Sequence, residues 1–144
     1  MLLWLRLLRS LTCVITEPYT GRKSGSILLT RPYTVFLYGH NMKSGAMFGN
    51  LRKYRKPEYC QAHRDLSFET LYEEGQYEIF AVTMIRVTPG LSGYLNLWDL
   101  DSADRAVRRE TIPQLRKNSQ YYSTPKVGEE DQLLLPITCE GDDD

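Results

Sequence analysis

The sequence contains few of the residues that build metal sites, disulfide frameworks or membrane spans. Its 144 residues include three cysteines and two histidines, without Cys-x-x-Cys or His-x-x-x-His spacing, so no metal site is predicted. An odd number of cysteines cannot all be paired. The 18 basic and 18 acidic side chains cancel, so no overall field favours nucleic acid or an acidic membrane. No apolar run can cross a bilayer, because Arg6 and Arg9 interrupt the stretch 1–15.

The size and composition fit one soluble domain with a single core. Charge is nevertheless unevenly distributed along the chain. The two basic clusters are Arg52, Lys53, Arg55 and Lys56, and Arg105, Arg108, Arg109, Arg116 and Lys117. Runs of this kind are typical of the solvated faces of amphipathic helices, and binding to an anionic polymer is the alternative.

Two apolar runs each lead to a residue that can take part in nucleophilic catalysis. Thr34–Tyr38 is followed after one glycine by His40, and Leu133–Thr138 is followed by Cys139. Both runs predict strands, and strand ends are rigid mounts for a site. A cysteine is a good nucleophile only as the thiolate, which a nearby imidazole can stabilise. The pattern is compatible with a catalytic Cys–His pair, but a half-buried cysteine and an unrelated loop histidine are the commoner outcome for both residue types.

A second histidine and a second cysteine compete for these roles. His63 is four residues after Tyr59 on a helix that Pro57 is expected to start, which favours a packed helix residue over a catalyst. Cys60 lies in the same predicted helix and is expected to be a small core or surface residue.

The other patterns predict mixed secondary structure. Met47, Leu51 and Tyr54 would form one apolar stripe on a short helix. Strands are predicted over 66–72 and 77–87, joined by a turn at 73–76 that contains Gly75. A helix capped by Asp101 or Ser102 is predicted to run to about Glu110. It is expected to kink or restart at Pro113 and to end at Lys117.

The sequence around the predicted pair resembles one enzyme family. Segment 37–49, LYGHNMKSGAMFG, is similar to the catalytic-histidine segment of class B sortases, the cysteine transpeptidases of Gram-positive surfaces. Ile137-Thr138-Cys139 resembles the end of the Thr-Leu-x-Thr-Cys signature that carries the sortase nucleophile, and Tyr77–Val82 resembles the strand after the histidine segment. The resemblance runs in order from about Gly21 to Cys139.

This resemblance implies a fold that is mainly β with short helices. The expected architecture is the sortase closed barrel of eight strands, with a helical insertion before the last core strands. The chain would form a single sortase domain over 1–144, with a poorly matching segment at 1–20, a sortase-like core at 21–139 and an acidic end at 140–144.

The resemblance also implies a reaction and its partners. Cys139 would attack the threonine carbonyl of a sorting motif near the C-terminus of a secreted surface protein, and His40 would move the proton. The acceptor would be an amine of a peptidoglycan precursor or a pilin, at the extracytoplasmic face of the membrane. Neither a cofactor nor nucleic acid is expected. The substrate groove is predicted to include Asn41, Thr138, Glu140 and Tyr122.

Two departures from the family pattern lead to a further expectation. Sortases need an arginine in the strand after the cysteine, and the sequence reaches Asp144 without it. Pro136 stands where the family usually has leucine, which predicts distortion near Cys139. The missing arginine strand and the lost resemblance at 8–20 together predict a fragment or a damaged reading frame without the final strand. The alternative function is an inactive sortase-fold protein or binding module. A papain-like protease fits less well, because there the cysteine precedes the histidine.

Overall fold

The structure is a computed structural model that describes residues 10–16, 32–69, 74–86, 88–121 and 126–139. For residues 10–16, Glu74 and Cys139 it describes the backbone only. Predictions that concern 1–9, 17–31 and 140–144 lie outside the described residues. The described elements are β1 (Ser10–Thr16), β2 (Thr34–Tyr38), a first 3₁₀ helix (Gly49–Arg55), α1 (Pro57–Ala62), β3 (Asp65–Glu69), β4 (Glu74–Ile85), a second 3₁₀ helix (Leu97–Asp101), α2 (Arg105–Lys117) and β5 (Leu133–Cys139).

The described strands form one five-stranded sheet in the order β2-β5-β1-β4-β3. β5 therefore lies between β2, with which it runs parallel, and β1, with which it runs antiparallel. β1 also pairs antiparallel with β4, and β4 with β3. The prediction of a mixture of strands and short helices is confirmed. The described pairings do not include closure of this sheet into a barrel, which stays a prediction.

Strands β2 and β5 form where their apolar runs predicted them. Pro136 is inside β5, level with Leu37 of β2. On the other side of β5, pairing with β1 continues from Ser10 to Thr12 and resumes at Ile15, so it is interrupted opposite Pro136. Because proline lacks the N–H that a ladder requires, this interruption is the expected local effect, and the strand nevertheless continues to Cys139.

The central strand β1 falls in the segment that sequence patterns did not assign. It pairs with β4 from Ser10↔Ile85 to Thr16↔Glu78, and the register shifts by a bulge between Val14 and Ile15. Segment 10–16 is rich in β-branched residues, which suit a pleated sheet. The weak family resemblance at 8–20 therefore coincides with a strand at the centre of the sheet.

The hairpin between β3 and β4 forms with a different turn from the predicted one. Gly75 does not make the turn; it is level with Phe68 inside the ladder, which ends at Glu69↔Glu74. The connection is therefore at 70–73, outside the described residues. The glycine belongs to the strand, where the ring of Tyr77 would lie 2.7 Å from an added Cβ.

Apolar side chains form two clusters, and successive residues of a strand contribute to different clusters. The first holds Leu133, Leu135 and Ile137 of β5 with residues of α2 and the second 3₁₀ helix. The second holds Leu134 with Cys60, and Leu51 and Tyr54 of the first 3₁₀ helix pack against it. Successive β5 residues thus enter opposite clusters, as the period of a strand requires. The sheet is covered on both sides where β5 runs.

Helix α2 precedes β5, as the resemblance predicts, but it begins later than expected. Its N-cap is Asp104, whose carboxylate accepts a hydrogen bond from the Ala106 amide at 2.8 Å. The predicted caps have other roles: Asp101 ends the second 3₁₀ helix, and the Ser102 hydroxyl accepts a bond from the Asp104 amide. Pro113 neither ends nor restarts the helix, which runs to Lys117. Among the described residues, no helix has the length and apolarity to cross a membrane.

The predicted helical stripe after the histidine segment is only partly correct. Leu51 and Tyr54 lie on a 3₁₀ helix and pack inward, whereas Met47 precedes that helix and is exposed. Met47 has a φ of 50°, in the left-handed region that a side chain of this kind rarely adopts. The chain turns here, and the stripe therefore begins at Leu51.

A close backbone approach at Gly49 gives a stability prediction. A Cβ at this position would overlap the carbonyl oxygen of Met42, so Gly49→Ala must displace backbone in the histidine segment. We expect Gly49→Ala to lower the free energy of unfolding by about 1–3 kcal/mol, as overpacked sites do. Urea denaturation measures the change. Gly128→Ala is the matched control: its Cβ would meet only an Asp131 carboxylate oxygen at 3.8 Å, and it should change stability by less than about 0.5 kcal/mol. Equal stability of the two variants would contradict the prediction.

Candidate active site

The parallel pairing of β2 with β5 brings the two predicted catalytic residues to one edge of the sheet. The pairing ends at Tyr38↔Ile137, and His40 and Cys139 each follow that pair by two residues. The Gly39 amide continues the pairing by donating a hydrogen bond to the Ile137 carbonyl at 3.1 Å. Parallel strands end at the same side of a sheet, so His40 and Cys139 lie at equivalent backbone positions on neighbouring strands.

The segment after β2 folds tightly around His40. The His40 carbonyl accepts a hydrogen bond from the Phe48 amide at 3.0 Å, which closes a compact loop. The Phe48 ring also covers Gly39, where an added Cβ would lie 2.7 Å from the ring. The position of Gly39 therefore leaves no room for a side chain. The His40 side chain is exposed, so a substrate can reach it.

Thr138 connects the two strand ends directly. Its hydroxyl donates a hydrogen bond of 2.8 Å to the carbonyl of Gly39, which is 99 residues away in sequence. The side chain is only 2% exposed. Thr138 was predicted to line the substrate groove; its observed contact instead fixes the residue before Cys139 to the residue before His40. A role of Thr138 in substrate binding stays a prediction.

Of the other predicted site residues, the structure describes Asn41 and the backbone of Cys139. Asn41 is next to His40, is 4% exposed and bridges to the backbone of Met47, so it supports the loop. Tyr122 and Glu140 lie outside the described residues, and their groove roles stay predictions. Cys139 has its backbone at the end of β5.

The competing histidine packs as the sequence predicted. The imidazole of His63 stacks on the Tyr59 ring with a centroid distance of 4.0 Å, and its Nδ1 is 2.9 Å from the Tyr59 carbonyl oxygen. Pro57 occupies the first turn of α1, which is also as predicted. His63 therefore belongs to the end of α1 beside β3, and not to the ends of β2 and β5.

Cys60 is a core residue and a poor nucleophile. It is fully buried, and its Sγ donates a hydrogen bond of 3.0 Å to the Tyr54 carbonyl. Burial raises the pKa of the Cys60 thiol to about 11, because the thiolate would lose its hydration. At neutral pH the residue is therefore a protonated thiol, with little of the thiolate that reacts.

This raised pKa predicts how stability depends on pH. The thiol is neutral in both states below its unfolded pKa of about 8.5, so its contribution is fully present there. Between that pH and about 11 the unfolded chain loses the Cys60 proton while the folded chain keeps it, so stability falls as pH rises. Cys60→Ala should remove this part of the decline. Unfolding free energies of the two proteins between pH 8 and 11 test this; parallel curves would contradict it.

The sequence patterns missed one buried charged residue. Arg108 was grouped with the basic residues of a solvated helix face, but its side chain is 0% exposed. It lies on the buried face of α2 with Thr111, Ile112 and Leu115. The spacing of three and four residues to Thr111 and Ile112 was the available signal, because those positions share one side of a helix.

Comparisons with known proteins show which proteins the chain resembles. The chain is 32% identical over 108 residues to sortase B of Listeria monocytogenes serovar 1/2a, an alignment that covers 75% of this chain and 42% of the relative. A solved Bacillus anthracis structure described as similar to sortase B matches with a TM-score of 0.65 and 29% identity over 77% of this chain and 49% of that one. Sortase B from Listeria monocytogenes matches with a TM-score of 0.63 and 25% identity over 81% and 63%. No protein-family profile matches the chain.

The mixed sheet, the helix before β5 and these structural matches define a sortase-type fold. In sequence and in fold the chain is similar to sortase B. It spans less than half the length of the curated relative, at 42%. The fold therefore applies to the chain, whereas the activity, substrates and partners of a whole sortase are matters for proposal.

Proposed function

We propose that the chain carries the nucleophile and the general acid–base of a class B sortase-like cysteine transpeptidase. Cys139 is the proposed nucleophile and His40 the proposed acid–base. The parallel register of β2 and β5 carries this proposal, because Tyr38↔Ile137 is followed by both residues at the same distance along their strands. Similarity to sortase B in sequence and fold supports a sortase-type function in general.

The proposed first step forms a thioester. The Cys139 thiolate attacks the carbonyl carbon of a threonine in the sorting motif, and the carbonyl electron pair moves to oxygen. When the tetrahedral intermediate collapses, the C–N bond breaks and the His40 imidazolium protonates the departing amine. The products are a Cys139 thioester and a free peptide with a new amino terminus.

The second step transfers the acyl group to an amine. Neutral His40 takes a proton from the incoming amine, whose nitrogen attacks the thioester carbonyl. Collapse of the second intermediate forms an amide and returns the sulfur of Cys139 as thiolate. Oxidants and cofactors are not required, because the electrons balance within the two substrates. Each oxyanion needs hydrogen-bond donors, for which backbone N–H groups and the arginine implied by the family resemblance are proposed.

The proposed setting follows from the family. The acyl donor is a secreted protein with a C-terminal sorting motif, and the acceptor is an amine of a peptidoglycan precursor or a pilin. The reaction would take place at the extracytoplasmic face of the cell membrane. We also propose that the sheet closes into the sortase barrel in the whole protein, which would remove the strand edges that β2 and β3 present.

A peptide-transfer experiment tests the proposed function. The protein is incubated with a threonine-containing sorting peptide and a short glycine peptide as the amine, and the mixture is analysed by mass spectrometry. A thioester on Cys139 and a peptide joined through its threonine are expected. A peptide in which valine replaces that threonine is the control for the cleavage site. Binding of the sorting peptide without thioester or product would favour the inactive binding module.

A further inference from the structure

The parallel strands β2 and β5 are not connected by a short turn, which is what usually sets strand register. In a hairpin the short turn fixes which residues face each other. β2 and β5 are the one parallel strand pair of the described residues, and most of the chain separates them. A slip of one residue would move Cys139 to the opposite face of the sheet from His40, because side chains alternate along a strand. The register must therefore be fixed by contacts elsewhere in the fold.

Arg108 makes such contacts at the start of both strands. Its Nη1 donates a hydrogen bond of 3.2 Å to the hydroxyl of Thr34, the first residue of β2. Its Nη2 donates one of 2.7 Å to the carbonyl of Asp131, two residues before β5, and its Nε donates one of 2.9 Å to the carbonyl of Glu129. The guanidinium is planar and rigid, so these three bonds fix the two segments relative to each other.

Neighbouring contacts complete the junction around Thr34. The Thr34 hydroxyl donates to the Leu100 carbonyl at 2.7 Å, and its amide donates to the Asp101 carboxylate at 2.9 Å. The Leu133 amide donates to the Tyr33 carbonyl at 2.9 Å. The Arg108 guanidinium also lies over the Tyr33 ring, 4.8 Å from its centroid. The residue before β2 is thus bonded directly to the first residue of β5, and Arg108 joins Thr34 to the segment that precedes β5.

The environment of Arg108 makes a role in stability alone a poor explanation. Burial lowers the pKa of its guanidinium, and the nearby charges of Asp101, Asp131 and Glu130 only partly oppose this effect. Apolar side chains of similar volume often stabilise a fold as well as a buried charge does, and a polar group at such a position can instead specify register. Arg109, one position along α2, is exposed and pairs with the Glu129 carboxylate at 2.6 Å. Arg109 is therefore a matched control, because it also contacts Glu129 but does not reach Thr34 or Asp131.

We propose that Arg108 is a positioning residue that holds β2 and β5 in the register that places His40 level with Cys139. The link to catalysis rests on the function proposed above, whereas the link to register does not. The Gly39 amide reports the register, since its hydrogen bond to Ile137 exists only when the strands are aligned as observed. The Ile79 amide, bonded to the Arg64 carbonyl at 2.8 Å on the β3 side of the sheet, reports general stability.

Hydrogen exchange measured by NMR on the folded chain tests the register. Arg108→Met and Thr34→Val should speed exchange of the Gly39 amide by about tenfold or more and leave the Ile79 amide unchanged, because each removes hydrogen bonds at the junction alone. Arg109→Met should change neither amide. Unchanged Gly39 exchange in both test variants would overturn the proposal, as would equal acceleration at Gly39 and Ile79. If Arg108→Met does not fold, Thr34→Val decides, since it keeps two of the three arginine bonds.

The pH dependence of Cys139 alkylation then separates this inference from the proposed function. If both are right, Arg108→Met shifts the alkylation midpoint to higher pH and Arg109→Met does not, because the imidazole no longer lies beside the thiol. Faster Gly39 exchange with an unchanged alkylation midpoint would support the register role and contradict the proposed Cys139–His40 pair. A role of Arg108 in stability alone would not move that midpoint in a folded variant.

Discussion

Cys139→Ala is expected to abolish both thioester formation and covalent capture by a thiol-directed peptide vinyl sulfone. Without the sulfur no acyl-enzyme can form, and loss of a nucleophile has reduced turnover by on the order of a million-fold in another acyl-transfer enzyme. The backbone position of Cys139, level with His40 on the parallel neighbour, is the reason for assigning it this role. Intact-mass measurement after incubation with the reagent gives the extent of capture.

Cys60→Ala is the control for this experiment. Cys60 is buried and its pKa is raised to about 11, so its removal should leave capture nearly intact at neutral pH. A capture reaction that disappears with Cys60 or Cys13, and persists without Cys139, would show that the nucleophile has been assigned to the wrong thiol. Peptide mapping of the wild-type adduct provides an independent check.

Replacement of His40 by alanine is expected to lower the rate of peptide transfer by roughly a hundred- to ten-thousand-fold, the usual contribution of a general acid–base. The thiol remains, so single alkylation of Cys139 should persist. Its dependence on pH should change, however, because a cysteine without a nearby imidazole ionises near its ordinary pKa of about 8.5. Transfer kinetics and the alkylation rate from pH 5 to 10 give the two measurements.

His63→Ala is the matched control for His40. His63 stacks on Tyr59 at the end of α1, so its removal should not affect transfer. Equal losses from the two replacements would indicate a general effect on folding. A loss confined to His63 would contradict the assignment of His40.

Local patterns were sufficient for the strands that carry the site. The apolar runs ending near His40 and Cys139 became β2 and β5 with nearly the predicted limits. What they could not supply was the relation between the strands. Parallel pairing joins positions 99 residues apart, such as Gly39 and Thr138, and no local preference encodes such a distance. The family resemblance, rather than periodicity, predicted that the two ends meet.

The sequence-based predictions were wrong where local sequence preferences allowed more than one structure. Asp101, Ser102 and Asp104 can all cap a helix; the structure uses Asp104 for the cap, while the Asp101 carboxylate accepts a hydrogen bond from the Thr34 amide. Gly75 suggested a turn by composition, but pairing along β4 kept it in the strand. The charge of Arg108 suggested a solvent-exposed helix face. Its burial depends on hydrogen-bond acceptors at Thr34 and Asp131, which are distant in sequence. In each case tertiary contacts decided between locally equivalent choices.

The position of β5 in the sheet has a consequence for synthesis of the protein. β5 is the most C-terminal described strand, yet it lies between β2 and β1. During synthesis, the edges of β2 and β1 that pair with β5 stay unpaired until β5 leaves the ribosome and inserts between them. Exposed edges of this kind are where nascent chains associate wrongly, and sheets assembled from distant segments fold slowly. Chaperone dependence and yield in cells should therefore respond more to changes in β5 than to changes in the local β3–β4 hairpin.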